Sequence, residues 1–269
     1  MKLLPILVSV PHGGTKVPDM LQERINLTPL EILIDSDART REIFAFKDRV
    51  KAYVDTDISR CVVDVNRDVF TDASNVFKQH SQNKKEVWKT HSAPNELERE
   101  ALLERYYRPY HQCMRDLLQE NEIQLAIDAH AMIPQKKMLN SLVRQRRPLF
   151  CISNRGSKDS RFPEQNITAS FALMKRLKRK LEEEFSDMLL FDIEHVVTIN
   201  DPFRGGYITA YHGKRPDVPF VQIEINRALY LPPEKDIRLE QTAQEIKQIH
   251  LVREKLWRAL EKTVMDVKK

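Results

Sequence analysis

The sequence offers no apolar run long enough to cross a bilayer; the first, residues 3–10, is broken by Pro5 and leads into Pro11-His12-Gly13-Gly14. One lysine precedes that run and no Ala-x-Ala-like cleavage site follows it, so it reads as a first core strand rather than a secretion signal. Cysteine is scarce. Cys61, Cys113 and Cys151 are odd in number, scattered and without CxxC spacing, which argues against a disulfide framework and for a reducing cytoplasm. Repeats, low-complexity tracts and Gly/Ser-rich linkers are also missing, so nothing divides residues 1–269 into more than a single domain. There is no HExxH helix signature.

What is present suits a globular chain: 41% hydrophobic and 31% charged residues. The net charge of +5 gathers partly at residues 144–147 and 175–180. The second cluster runs into Glu182-Glu183-Glu184 on a helix-like stretch, the pattern of a solvated helical face. Neither cluster is interleaved with aromatics or set in a known module, so no nucleic-acid or membrane partner is expected. Oligomeric state is not legible.

Short β-like runs at Leu4–Val10, 52–56, 61–65, 124–128, 149–153, 189–193 and 219–225 alternate with helical patterns at 29–46, 96–119, 167–185 and 238–264. Thr28 before Pro29, and Asn95 before Glu96, carry N-cap signals. Strands separated by long helices predict an α/β fold: a three-layer α/β/α sandwich with a mixed, largely parallel central sheet. Residues 68–94 are polar and aperiodic and read as a long loop, in a compact domain often a lid over a site.

Ionisable residues gather where the strands end, and in open α/β sheets ligands bind there. His12 follows the first strand; Asp64, Asn66 and Arg67 close the run 61–65; Asp128 and His130 close another; Glu224 and Arg227 close the last. Each has a bland reading as a loop hydrogen-bonder or an exposed turn, but together they suit hydrolytic zinc chemistry. Zinc in hydrolases takes three His or carboxylate ligands and leaves a position for water, whose pKa it brings to roughly 7. His12 and His130 supply two nitrogens. Asp128, two residues before His130 in extended chain, suits a carboxylate that orients the ring. Glu224, flanked by Ile223 and Ile225, suits a general base, and Arg67 and Arg227 suit a grip on a substrate carboxylate. The third ligand is either Asp37 or Asp35; separated only by Ser36, they cannot both point one way on a helix.

Seven motifs occur in an order that resembles the N-formylglutamate amidohydrolase family. They are Ser9-Val10-Pro11-His12-Gly13-Gly14 with Pro18, Asp35-x-Asp37, residues 59–67 with Ser59-Arg60 and Asp64-x-Asn66-Arg67, Tyr107-x-Pro109-Tyr110-His111, Asp128-x-His130-x-Met132, residues 202–209 with Gly205-Gly206-Tyr207, and residues 222–230 with Glu224 and Arg227. That family is similar in fold to zinc carboxypeptidases and aspartoacylases. The resemblance implies one zinc per chain and hydrolysis of the amide of a small N-acyl acidic amino acid such as N-formylglutamate. Carried onto this sequence, it implies His12, Asp37 and His130 as metal ligands, Glu224 as catalytic base with Arg60 polarising the acyl oxygen, and Asn66-Arg67 on the substrate carboxylate. Arg227, Gly206, Tyr207, Tyr110 and His111 are further implied substrate contacts, and Asp128, Asp35 and Asp64 support the ligands.

Several departures bear on the substrate. Ala131 stands where the family commonly has Ser, Tyr211-His212-Gly213 carries an extra residue, and Asp68-Val69-Phe70-Thr71-Asp72 with a lysine-rich loop replaces a Pro/Gly-rich stretch. A peptide-like or N-acetylated substrate is therefore the nearest alternative, and a non-catalytic binding protein on the same fold the more distant one.

Overall fold

The computed structural model describes residues 3–71, 73–137, 144–157, 166–188, 193, 195–215 and 217–265. A six-stranded sheet is built from β1 (Leu4–Val10), β2 (Val50–Asp55), β3 (Leu125–Met132), β6 (Phe150–Ser153), β7 (Val197–Ile199) and β8 (Phe220–Asn226), and β4 (Gln135–Lys137) pairs with β5 (Arg144–Arg146) in a separate ribbon. The order across the sheet is β2-β1-β3-β8-β6-β7. Neighbours run parallel except at β8–β6, where the direction reverses, so the sheet is mixed and largely parallel.

Strand alternation sorts the side chains into two layers. On one face Ile6, Val8, Ile127, Ala129, Val221, Ile223 and Ile225 join a core against the helices Phe171–Phe185 and Ala243–Met265. On the other, Leu7, Ala126 and Phe220 begin a second core with the long helix whose first turn starts at Glu96. Toward the C-terminal ends of the same strands that second face turns polar: Ser9, Asp128, His130, Gln222 and Glu224 are all buried. Ser9 and Gln222 both pair with Asp128, and His130 pairs with Glu224. One row of polar side chains therefore crosses three strands in backbone register and a second crosses two.

Several sequence expectations need correction. The run 61–65 is no strand. Val62 and Val63 both donate to the Ser59 carbonyl and Asp64 to that of Val76, so the backbone is spent on turns while the valine side chains pack into the second core. The helical stretch 29–46 breaks at Ser36, whose extended backbone ends the helix Pro29–Asp35 and places Asp37 in a bend. The pattern at 96–119 is helical but widens into a π turn at Leu103–Tyr107 before Arg108–Glu120. Capping boxes at Thr28 and Asn95 start their helices, each cap bonding the amide three residues on and accepted in return by a glutamate. The strand expected at 189–193 lies outside the described residues apart from Ile193.

Candidate active site

A cavity of 620 Å³ opens over the polar rows, lined by His12, Asp37, Arg60, Asn66, Arg67, His130, Arg147, Tyr207, Gln222 and Glu224 among others. The loop 68–94 forms part of its wall through Asp68, Thr71, Asn75 and Gln82. That loop is anchored: Val76, Phe77, Val87 and Trp88 are buried, and Lys78 Nζ bonds both Asp35 oxygens at 3.1 and 2.9 Å.

At the floor, His12 and His130 meet edge to face with ring centroids 4.8 Å apart. Their outer nitrogens are held by carboxylates: His12 Nε2 lies 2.7 Å from Asp64 Oδ1, and His130 Nε2 lies 3.1 Å from Asp128 Oδ1. Their inner Nδ1 atoms converge on one oxygen, Asp37 Oδ2, at 3.6 and 2.9 Å. His12, Asp37 and His130 present ligand atoms that all lie within 4.8 Å of one another. A carboxylate on the far side of each imidazole fixes the tautomer that aims a lone pair inward, the support that metal-bound histidines receive. The donor set fits a divalent cation such as zinc.

The electrostatics point the same way. Burial opposes ionisation of Asp37, yet Arg60, His12 and His130 hold its carboxyl well below the usual range. Asp64 is depressed too, since His12 and Arg60 outweigh its burial. His130 behaves oppositely: burial disfavours the charged ring, but Asp128 and Asp37 raise its pKa well above the ordinary value. The cluster is rich in buried carboxylate and draws positive charge to its centre. Arg60 answers part of that demand, with Nη1 3.2 Å from His12 Nδ1 and 3.3 Å from Asp37 Oδ1. Glu224 is pushed up to about 7, mainly by burial. Gln222 holds it, donating to Glu224 Oε1 at 2.9 Å while accepting from the Gly206 amide at 2.6 Å.

Asn66 and Arg67 face the cavity together. Asn66 Oδ1 accepts from the Ile208 amide, its Nδ2 lies 3.1 Å from His130 Nε2, and the Arg67 side chain is 60% exposed. Gly206 abuts Asn66 so closely that a Cβ there would sit 2.5 Å from Asn66 Nδ2.

Three expected substrate contacts fall elsewhere. Arg227 does not line the cavity; it donates to the carbonyls of Ile34 and Ser36 and reaches Asp37 Oδ1 at 3.5 Å, holding the bend that carries Asp37. Tyr110 is buried with its hydroxyl 2.7 Å from Ser9 Oγ. His111 is buried between the Val65 carbonyl and His212. The helix that carries both packs beneath the sheet, so its aromatic face is core. Asp35, the alternative ligand, is taken up by Lys78 and by Gln82, whose amide donates at 2.6 Å. Sequence reasoning assigned no role to Gln222, although its two-residue spacing from Glu224 puts both on one strand face. Nor did it single out Arg147, which alternation could not place because it follows the short ribbon.

The model of the family described as N-formylglutamate amidohydrolase matches residues 4–231. The chain belongs to the N-formylglutamate amidohydrolase family. Among curated proteins, a Pseudomonas putida N-formylglutamate deformylase is 26% identical over 247 residues, covering 85% of this chain and 82% of that protein. Among solved structures, an N-formylglutamate amidohydrolase of Ralstonia eutropha JMP134 superposes with a TM-score of 0.70 at 18% identity, over 97% of this chain and 94% of that one. A gene product of Agrobacterium tumefaciens superposes at 0.57 with 16% identity, over 98% of this chain and 92% of that one. These likenesses share the family's α/β fold. His12, Asp37, His130 and Glu224 all lie inside the segment the family model matches.

Proposed function

We propose that the protein is a zinc-dependent amidohydrolase that removes the acyl group from a small N-acyl acidic amino acid, with N-formylglutamate the leading substrate. The observation that carries the reading is the convergence of two carboxylate-backed imidazoles on Asp37, beside a buried glutamate of raised pKa. Family membership and the activity named for the Pseudomonas putida relative support the choice of amide. His12, Asp37 and His130 would hold the zinc, which would supply Lewis acidity at this centre.

The chain's own groups do the rest. Glu224, poised near neutrality, accepts the proton of the attacking water and returns it to the departing nitrogen, so that the C–N bond breaks to a carboxylate and an amine. Gln222 fixes the rotamer of Glu224, and Arg60 sets a buried guanidinium beside the centre where negative charge develops on the acyl oxygen. Asn66 and Arg67 grip a carboxylate of the amine fragment.

The test pairs elemental analysis with formate release from N-formylglutamate, before and after chelation. About one zinc per chain, with activity lost on chelation and restored by zinc, is the expected result. Protein that is free of metal and indifferent to chelators sinks the reading.

A further inference from the structure

The cavity carries one guanidinium that the chemistry above leaves unused. Four arginines line it: Arg60, Arg67, Arg147 and Arg204. Arg60 is engaged with Asp37 and Asp35, and Arg204 Nε donates to the Gly156 carbonyl. Arg67 pairs with Asp64 at 3.4 Å and stands largely in water. Arg147, unlike Arg60 and Arg67, forms no ion pair with a carboxylate among the described residues. Its Nε is shielded from solvent and has no hydrogen-bond partner among the described residues, and its guanidinium lies over the Phe203 ring at 4.9 Å.

We propose that Arg147 is the specificity-determining residue for a second substrate carboxylate, so that the cavity selects N-acyl amino acids whose side chain itself ends in a carboxylate. The proposal rests on the amidohydrolase reading and assigns the residue that reads the side-chain carboxylate of its substrate. A guanidinium N–H shielded from water and left without an acceptor is costly, and an aromatic face recovers only part of that cost. Phe203 holds the plane of the fork, leaving its N–H edge for a planar, two-oxygen acceptor. Burial pulls Arg147 below the ordinary arginine pKa, while the nearby Glu224 works the other way.

Topology sets Arg67 and Arg147 on opposite flanks. Arg67 belongs, through Asp64 and His12, to the end of β1. Arg147 precedes β6, which runs antiparallel to β8 with Cys151 opposite Glu224, so it stands beyond the C-terminal end of β8. The histidines and Glu224 lie between. An amine fragment with two carboxylates engages both flanks; a fragment with one engages only one.

The experiment compares wild type, Arg147→Gln and Arg147→Lys on three formamides. N-formylglutamate has both carboxylates, N-formylglutamine only the α-carboxylate, and 4-formamidobutanoate only the side-chain carboxylate. For Arg147→Gln, kcat/KM on the first and third is expected to fall about 10- to 100-fold, mostly through KM. The preference for N-formylglutamate over N-formylglutamine drops by the same factor, and Arg147→Lys recovers part of it. An equal loss on all three, or a loss that follows the α-carboxylate, overturns the proposal. Calorimetric binding of L-glutamate and L-glutamine reads the same residue without turnover. Discrimination that Arg147→Gln abolishes upholds Arg147 even if no formamide is cleaved, in which case only the amidohydrolase reading fails. Equal affinity of wild type for both overturns it.

Discussion

The molecule contains two pairs of buried histidines, and they are built for opposite ends. His12 and His130 meet at 4.8 Å with a carboxylate behind each ring and a third between them. His111 and His212 stack at 5.2 Å with no carboxylate partner among the described residues: they bond each other at 2.9 Å, and His111 Nε2 donates to the Val65 carbonyl. That donation fixes the remaining proton, for His111 Nδ1 must then accept and His212 Nε2 donate. Burial pushes His111 down to about 4 and His212 down to about 3, so both stay neutral near pH 7. Residue type and burial are shared; the surrounding charge separates a candidate cation centre from a structural hydrogen bond.

The sharpest break in that comparison is Glu224→Gln, which removes the proposed proton carrier but leaves the histidines. It is expected to cost about 10²- to 10⁴-fold in kcat with zinc content retained. The same change reads the charge cost of the site. Because the folded-state pKa of Glu224 is raised to about 7, its ionisation opposes folding, fully above pH 7 and not at all below about 4.5. Metal-free Glu224→Gln should therefore be more stable than metal-free wild type at pH 8, by up to about 3 kcal/mol, and equal to it near pH 4, as denaturant titrations will show. Next in size, Asp64→Asn or Asp128→Asn keeps the shape but removes the charge behind one imidazole. A 10- to 100-fold weaker zinc affinity is expected in competition with a chromogenic chelator. An unchanged affinity would show that the carboxylates do not define this pair.

The smallest effect belongs to the other pair. His111→Gln is expected to cost about 1–3 kcal/mol in unfolding free energy while zinc content stays intact. The folded pKa of His111 lies below the unfolded value of about 6.5, so wild-type stability falls as pH drops from 6.5 toward 4. The variant should lose part of that slope. Loss of zinc in His111→Gln would erase the distinction between the pairs.

The sequence exposed one pair better than the other. His12, Asp128, His130 and Glu224 interrupt apolar strand runs, where an ionisable side chain demands a reason, and period-2 alternation places most of them on one face. His111 sits in an amphipathic helix, where spacing cannot tell a substrate contact from a core aromatic. Arg227 looked like a substrate clamp because it ends a strand, but its partners are carbonyls nearly two hundred residues away, a relation no local pattern encodes. The run 61–65 misled for another reason: β-branched residues favour strands, and here they serve packing alone while the backbone turns. The helices were legible at their starts, where Thr28 and Asn95 cap, and less so at their breaks, the extended Ser36, whose carbonyl Arg227 holds, and the π turn that begins at Leu103.

The pairing of His130 with Glu224 across β3 and β8 has a consequence for how this scaffold can vary. The separation of the His130 ring and the Glu224 carboxyl is dictated by the inter-strand spacing of about 4.8 Å, a constant of peptide geometry rather than of any side chain. A slip of one residue would turn both away from the cavity together. The proposed catalytic pair is thus locked into the main chain, while the groups proposed to read the substrate, carried on loops and on the stretch before β6, remain at liberty to change.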